Sequence, residues 1–224
     1  MYSSLPPCLF ASLPSIPYFR PMCFHTKQTA DAIKLSQRFR TALPLHHDLC
    51  SQHIISFTHP RTPIITNKEP AQIQMYHWGL IPSWSKDKTI QQYTLNAKIE
   101  TLYEKPSFKN SVDNRCLIIA TGFMEWQWLD PKGKKKQQYL ITIPNGEPFA
   151  MAGLYNSWVD KTSGEVVDTY TMVTTEANEL MSRIHNIKKR MPVILTPENE
   201  MDWLKGNKIK DFTNCNLELE ATEI

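Results

Sequence analysis

Five cysteines, at positions 8, 23, 50, 116 and 215, are the candidate nucleophiles of this 224-residue chain. A cysteine reacts as its thiolate, so its surroundings decide whether it does chemistry. Cys116 lies in CLIIA, the pattern of a core strand, and Cys8, Cys50 and Cys215 sit in no pattern that would activate them. Cys23 differs because Met22 precedes it. If translation starts at Met22 and the methionine is removed, Cys23 carries its thiol beside a free α-amine. An α-amine has a pKa of roughly 7.7–8.0, so an appreciable fraction is neutral and nucleophilic near pH 7. Such a 1,2-aminothiol attacks an aldehyde twice. The amine forms an imine, and the sulfur then closes a five-membered thiazolidine.

Three further residues have side chains suited to proton transfer or polar anchoring. Glu125 lies among Phe123, Met124, Trp126 and Trp128, and an apolar setting raises a carboxyl pKa toward the range useful for general acid–base work. On an alternating strand the same residue would instead point to solvent. Histidine is the side chain type suited to proton transfer near neutral pH, which makes His185 a candidate, although a lone histidine is more often a structural residue. Asn96 offers a donor and an acceptor, and it also fits as a helix cap before AKIETLYEK. His47, Cys50 and His53 are three apart in HHDLCSQH, but a structural zinc needs a fourth ligand and there is no Cys-x-x-Cys pair. That segment reads as a polar loop, and no metal or cofactor is expected.

The elements that must position these residues are mostly strands. Pro63–Thr66, Gln72–Trp78, Arg115–Ala120, Phe123–Leu129, Gln137–Ile143, Pro148–Tyr155, Val167–Thr174 and Pro192–Leu195 are short, apolar or alternating runs. DPKGKKK and PNGE supply turns between them. Thr29–Arg40 and Glu176–Ile184 read as helices, the first capped by Thr29. In TPENEMDWLKG, Thr196 caps a helix, Pro197 takes its first position and Gly206 ends it. Many strands and few helices, in no regular alternation, predict an α+β fold with a curved sheet or open barrel.

Five blocks stand in a telling order: Met22-Cys23, WGLIPSWSKD at 78–87, NAKIET at 96–101, TGFMEW at 121–126, and Ile184-His185 followed by RMPVIL at 190–195. In that order they resemble the SOS response-associated peptidase (SRAP) family, from Met22 to about Leu204. The resemblance implies a β-rich domain that holds single-stranded DNA and forms a thiazolidine with an abasic site, whose ring-opened sugar is an aldehyde. It implies Cys23 as nucleophile, Asn96 as a polar anchor near the sugar, Glu125 as a catalytic carboxylate and His185 as general acid/base. Pro82 and Trp84 would form an apolar platform for a base. Lys98, Lys109 and Arg190, inside or beside the blocks, would pair with phosphates. The run KGKKK at 132–136 reads as a solvated hairpin turn. The chain departs from the family pattern in three places. Phe24-His25 replaces the Gly-Arg after the cysteine, NAK replaces NAR, and four residues rather than one separate His185 from Arg190.

Composition sets the outer bounds. Apolar residues are 41% of the chain, enough for a real core, and the net charge of +3 is ordinary, so a nucleic-acid site must come from local clustering of Lys and Arg. An odd cysteine count without paired spacing argues against a disulfide framework and for an intracellular protein. No apolar run approaches a membrane span. Residues 1–21 carry five prolines, no acidic residue and one late basic residue, Arg20. They read as a disordered leader, or as sequence upstream of the true start, ahead of one domain at 22–224. The expectation is a monomeric, cytoplasmic, nucleoid-associated sensor of abasic sites. Lyase cleavage would be a side reaction. The competing readings are a thiol peptidase acting through Cys23, its own leader being one candidate substrate, and a single-strand binder with no covalent step.

Overall fold

The computed structural model describes residues 25–42, 51–213 and 217–224. Cys8, Cys23, Cys50, Cys215, His47 and the leader lie outside the described residues. Among the described residues the strands are β1 (His25–Gln28), β2 (Ser51–Ile55), β3 (Arg61–Thr66), β4 (Gln74–Trp78), β5 (Asn96–Lys98), β6 (Arg115–Ala120), β7 (Gly122–Trp128), β8 (Lys136–Thr142), β9 (Phe149–Val159), β10 (Val166–Glu176), β11 (Arg190–Pro192), β12 (Ile194–Leu195) and β13 (Glu220–Glu223). Three short helices accompany them: α1 (Ala32–Phe39), α2 (Glu179–Ile184) and α3 (Glu200–Leu204).

Five strands close into a ring. β10 pairs antiparallel with β9, β9 with β6, β6 with β3 and β3 with β4, and β4 returns parallel to β10 with Thr169 opposite His77. The barrel is therefore closed rather than open, which leaves these five strands without a bare edge along the seam. β9 and β10, eleven residues each, are long enough to serve the ring and then extend beyond it. β5 and β11 attach to the far half of β10, and β12 to β9.

Side-chain alternation divides the ring's residues into two sets. One set (Ile64, Trp78, Cys116, Ile118, Met151, Tyr155, Tyr170 and Met172) packs together as an apolar cluster. Trp78 stacks on Tyr170 with ring centroids 5.9 Å apart, and the Tyr170 hydroxyl meets Thr62 Oγ1 at 2.7 Å. Gly153 is part of this fit, because a Cβ there would stand 2.7 Å from Cys116 Sγ. The Cys116 thiol is fully buried and burial pushes its pKa well up, as suits a core residue. The other set (Ile65, Leu117, Ile119, Ala152, Leu154) packs under Leu35 of α1 and Trp203 and Leu204 of α3. The Trp203 indole N–H donates to Cys116 O at 3.1 Å, with the Arg115 guanidinium 4.5 Å over the ring.

A second sheet, in the order β13-β8-β7-β1-β2, is antiparallel throughout. Between β6 and β7 the chain changes sheets at the single residue Thr121, which donates its N–H to Lys27 O at 2.8 Å. Gly122 follows because Ile141 O and the Leu140 side chain come within 3.0 Å of where a Cβ would lie.

The helix ends differ from the sequence reading. Asp31, not Thr29, caps α1 by accepting from Lys34 N–H at 2.8 Å, and Thr29 instead hydrogen-bonds Thr121. α2 starts late because β10 runs on to Glu176, and Asn178 caps it. Thr196 does not cap α3. Its own N–H donates to Asn199 Oδ1 at 2.9 Å, so Pro197 lies in a preceding turn, while Gly206 at φ +87 ends the helix as expected. Among the described residues no helix is long and apolar enough to cross a membrane.

Candidate functional site

β7 carries Glu125 on the face that also holds Phe123. Strand alternation would leave Glu125 exposed if that face met solvent, but the face is covered. Phe123 and Ile141 pack on the barrel cluster, and α2 lies against β7. Glu125 is only 4% exposed, which overturns the outward reading. Its Oε1 accepts the Trp126 N–H at 3.1 Å.

His185, at the C-terminal cap of α2, is equally buried. Its Nδ1 lies 2.8 Å from Arg190 O. A carbonyl only accepts, so Nδ1 carries the proton and the neutral ring keeps its lone pair on Nε2. Glu125 Oε2 stands 3.8 Å from the same Nδ1, close enough for charge to be felt and too far for a hydrogen bond.

Arg190 supplies that carbonyl while its side chain is locked elsewhere. The guanidinium donates to both carboxylate oxygens of Glu100, at 2.7 and 2.9 Å, and to Thr174 O at 2.7 Å. Burial pushes the Glu100 carboxyl up, but the Arg190 fork and its charge outweigh this and hold it below the usual range. A linked series thus runs from Glu100 through Arg190 to His185 and Glu125. It draws together NAKIET, the RMP block, the end of α2 and TGFMEW. Glu100 went unremarked in the sequence reading, although it lies inside a quoted block.

The remaining candidates fall as follows. Asn96 heads β5, paired with Met172, and is half-buried; it starts a strand rather than capping a helix. Lys98 and Lys109 are exposed. Trp84 is 52% exposed, its indole N–H on Pro106 O at 3.1 Å. Pro82 is buried, so it is no open platform for a base. Arg190 is 8% exposed with its fork committed to Glu100, so it is not placed to meet a phosphate. Trp78 is wholly buried.

Two histidines meet at the start of β1. His25 Nδ1 and His53 Nε2 are 2.6 Å apart, and His25 stands edge-on to Trp126 with centroids 4.7 Å apart. Burial, and secondarily the charge of His53, lowers the His25 pKa to about 4. The ring in the place of the family's arginine is therefore neutral near pH 7. Among the described residues no group of three His, Cys, Asp or Glu is placed to hold a metal.

A β-barrel with an appended sheet is an architecture shared with known proteins. The chain belongs to the SOS response associated peptidase family, whose model matches residues 22–222. It is 46% identical over 142 residues to the abasic site processing protein YoqW of Bacillus subtilis (strain 168), covering 63% of this chain and 61% of that protein. It is 33% identical over 151 residues to the abasic site processing protein HMCES of Gallus gallus, covering 57% of this chain and 43% of that one. These alignments thus span less than two thirds of either relative. A crystal structure of a Bacteroides thetaiotaomicron protein superposes with a TM-score of 0.79 at 34% identity, over 90% of this chain and 92% of that one. A Bordetella bronchiseptica protein gives 0.75 at 25%, over 90% and 99%.

Proposed function

We propose that this chain processes abasic sites in single-stranded DNA by bonding to them covalently through Cys23. The observation that carries the reading is the register of β1 on β7, which sets His25 opposite Met124, the neighbour of Glu125. Cys23 is two residues before His25, so chain connectivity keeps their Cα atoms within about 7 Å. On this reading the aminothiol works beside the buried Glu125–His185 pair. Relatives named for abasic site processing support the same substrate.

The chemistry requires a chain that begins at Cys23. Its neutral amine attacks the C1′ aldehyde of the ring-opened sugar and forms a carbinolamine. Loss of water then gives the imine. The thiolate adds to the imine carbon and the nitrogen regains a proton, so the thiazolidine forms with net loss of one water. His185 Nε2, left basic by the Nδ1–H bond to Arg190 O, accepts the proton of the attacking amine. It returns that proton to the departing hydroxyl. Glu125 stabilises the cationic forms of the imidazole and the imine. Asn96 anchors the sugar. Trp84 offers a stacking face, and Lys98 and Lys109 meet phosphates. Glu100 and Arg190 act as positioning residues behind His185.

Intact mass spectrometry of a protein started at Met22, mixed with single-stranded DNA bearing one abasic site, tests this. Expected is a protein lacking Met22 that gains the mass of the DNA less one water, with the gain abolished in Cys23→Ala. A stable adduct of the same mass in Cys23→Ala would overturn the mechanism.

A further inference from the structure

Two lysine-bearing turns meet on one tryptophan. Trp128, half-buried, ends β7 three residues beyond Glu125. On one side the side-chain amide of Asn186 grips its backbone. Trp128 N–H donates to Asn186 Oδ1 at 3.1 Å, and Asn186 Nδ2 donates to Trp128 O at 2.9 Å. Asn186 opens the loop between His185 and Arg190, where Ile187, Lys188 and Lys189 are exposed. That loop is pinned at its far end as well. Lys189 N–H donates to His185 O at 2.9 Å, Lys189 O accepts from Ala177 N–H at 3.0 Å, and Lys189 sits at φ +49, unusual for a side chain other than glycine.

On the other side the β7–β8 turn folds over the indole. A Cβ on Gly133 would stand 2.5 Å from the Trp128 ring, and Lys136 Nζ lies 5.0 Å from a Trp128 ring centroid. This turn exposes Lys132, Lys134, Lys135 and Lys136. Its one carboxylate, Asp130, faces back to the backbone N–H groups of Lys135 and Lys132, and these bonds hold its pKa below the usual range. The nearby carboxylate of Glu223 accepts from the Tyr139 hydroxyl at 3.0 Å, on the β13 side of β8.

Together the two turns gather six lysines in one place, although the formal net charge of the whole chain is only +3. A single lysine-rich turn needs no anchoring to remain soluble. Here both turns are held to one residue at the end of the strand that carries Glu125. Pre-ordered cations bind phosphates with less loss of freedom than floppy ones.

We infer that the 132–136 and 186–189 turns form one phosphate-binding crest that holds single-stranded DNA flanking the lesion. This rests on the reading of the chain as an abasic-site protein and extends the DNA footprint past the residues suggested by the sequence blocks.

The test is the salt dependence of binding to an undamaged single-stranded oligonucleotide. The comparison is between the unmodified protein and a variant with Lys132, Lys134, Lys135, Lys188 and Lys189 all changed to Ala. Lys136 stays, because it packs on Trp128. Each lost phosphate contact removes roughly 0.7 from the slope of log K against log salt. Expected is a slope shallower by about 2 to 3.5, shared between separate variants of the two turns, with an unchanged thermal unfolding curve. A control with Lys205, Lys208 and Lys210 changed to Ala should keep the original slope. The crest is refuted by a slope within about 0.5 of the original in the five-lysine variant, by an equal fall in the control, or by no binding in the unmodified protein. Adduct mass at low salt separates the two ideas. An adduct with an unchanged slope leaves the function standing and removes the crest. A lysine-dependent slope without any adduct does the reverse.

Discussion

The barrel and the sheet beside it handle buried polarity in opposite ways. Inside the barrel the polar atoms are few and settle one another, as Thr62 does with Tyr170 and the Trp78 indole does with Leu95 O. On its outer face the buried cation Arg115 gives hydrogen bonds to the carbonyls of Val112, Trp203 and Asn207. At the α2 end of β7, by contrast, an ionisable carboxyl and an imidazole are buried together. Their facing atoms are left 3.8 Å apart, without a hydrogen bond between them. Burying titratable groups costs stability, and such groups cluster at functional sites. On the proposed function, stability belongs to the first region and chemistry to the second.

The largest expected effect is on the stability side. Trp203→Ala removes a wholly buried ring that caps the outer barrel face, and it should cost about 3–5 kcal/mol in denaturant unfolding. Adduct formation by the protein that remains folded should be unchanged. A lost adduct at full foldedness would show that the two regions are not separable.

Next comes Glu125→Gln, which keeps the volume and removes the charge. The rate of adduct formation should fall about 100-fold, while affinity for undamaged single-stranded DNA holds. Quenched time courses read by mass would measure it, and a rate within about threefold of the original would remove Glu125 from the mechanism.

The smallest effect is a pH dependence at the start of β1. The His25 pKa is lowered to about 4, chiefly by burial and then by the charge of His53, whereas an unfolded histidine titrates at 6.5. Between those values the unfolded chain holds a proton that the folded chain does not. Stability should therefore fall as pH drops from 6.5 to 4 and should not change further through this group below 4. His25→Gln should flatten that window. Thermal unfolding at a series of pH values would show it, and an unaltered profile in the variant would place the acid sensitivity elsewhere.

Much of this molecule was legible before folding because local pattern carries it. β6, β7, β8 and β9 were found within a few residues of their ends, since apolar runs and turn residues are local signals. The helix caps were misplaced at Thr29 and Thr196 because each had a nearby competitor, Asp31 and Asn199, and propensity alone does not rank them. Closure of the barrel was not legible. It depends on β4 pairing with β10, and nothing local in either strand specifies a partner that distant in the chain.

The candidate site divides along the same line. The residue types at Asn96, Glu125 and His185, and their membership of ordered blocks, were determined by the sequence alone. The inward turn of Glu125 was decided by the tertiary structure, since strand alternation says which residues share a face and not which face is covered. So was the withdrawal of Arg190 from solvent, because a guanidinium goes to the carboxylate that packing brings nearest, and here that is Glu100. So was the joining of two lysine turns on Trp128, a contact between segments that share no sequence signal and meet only when α2 docks on β7.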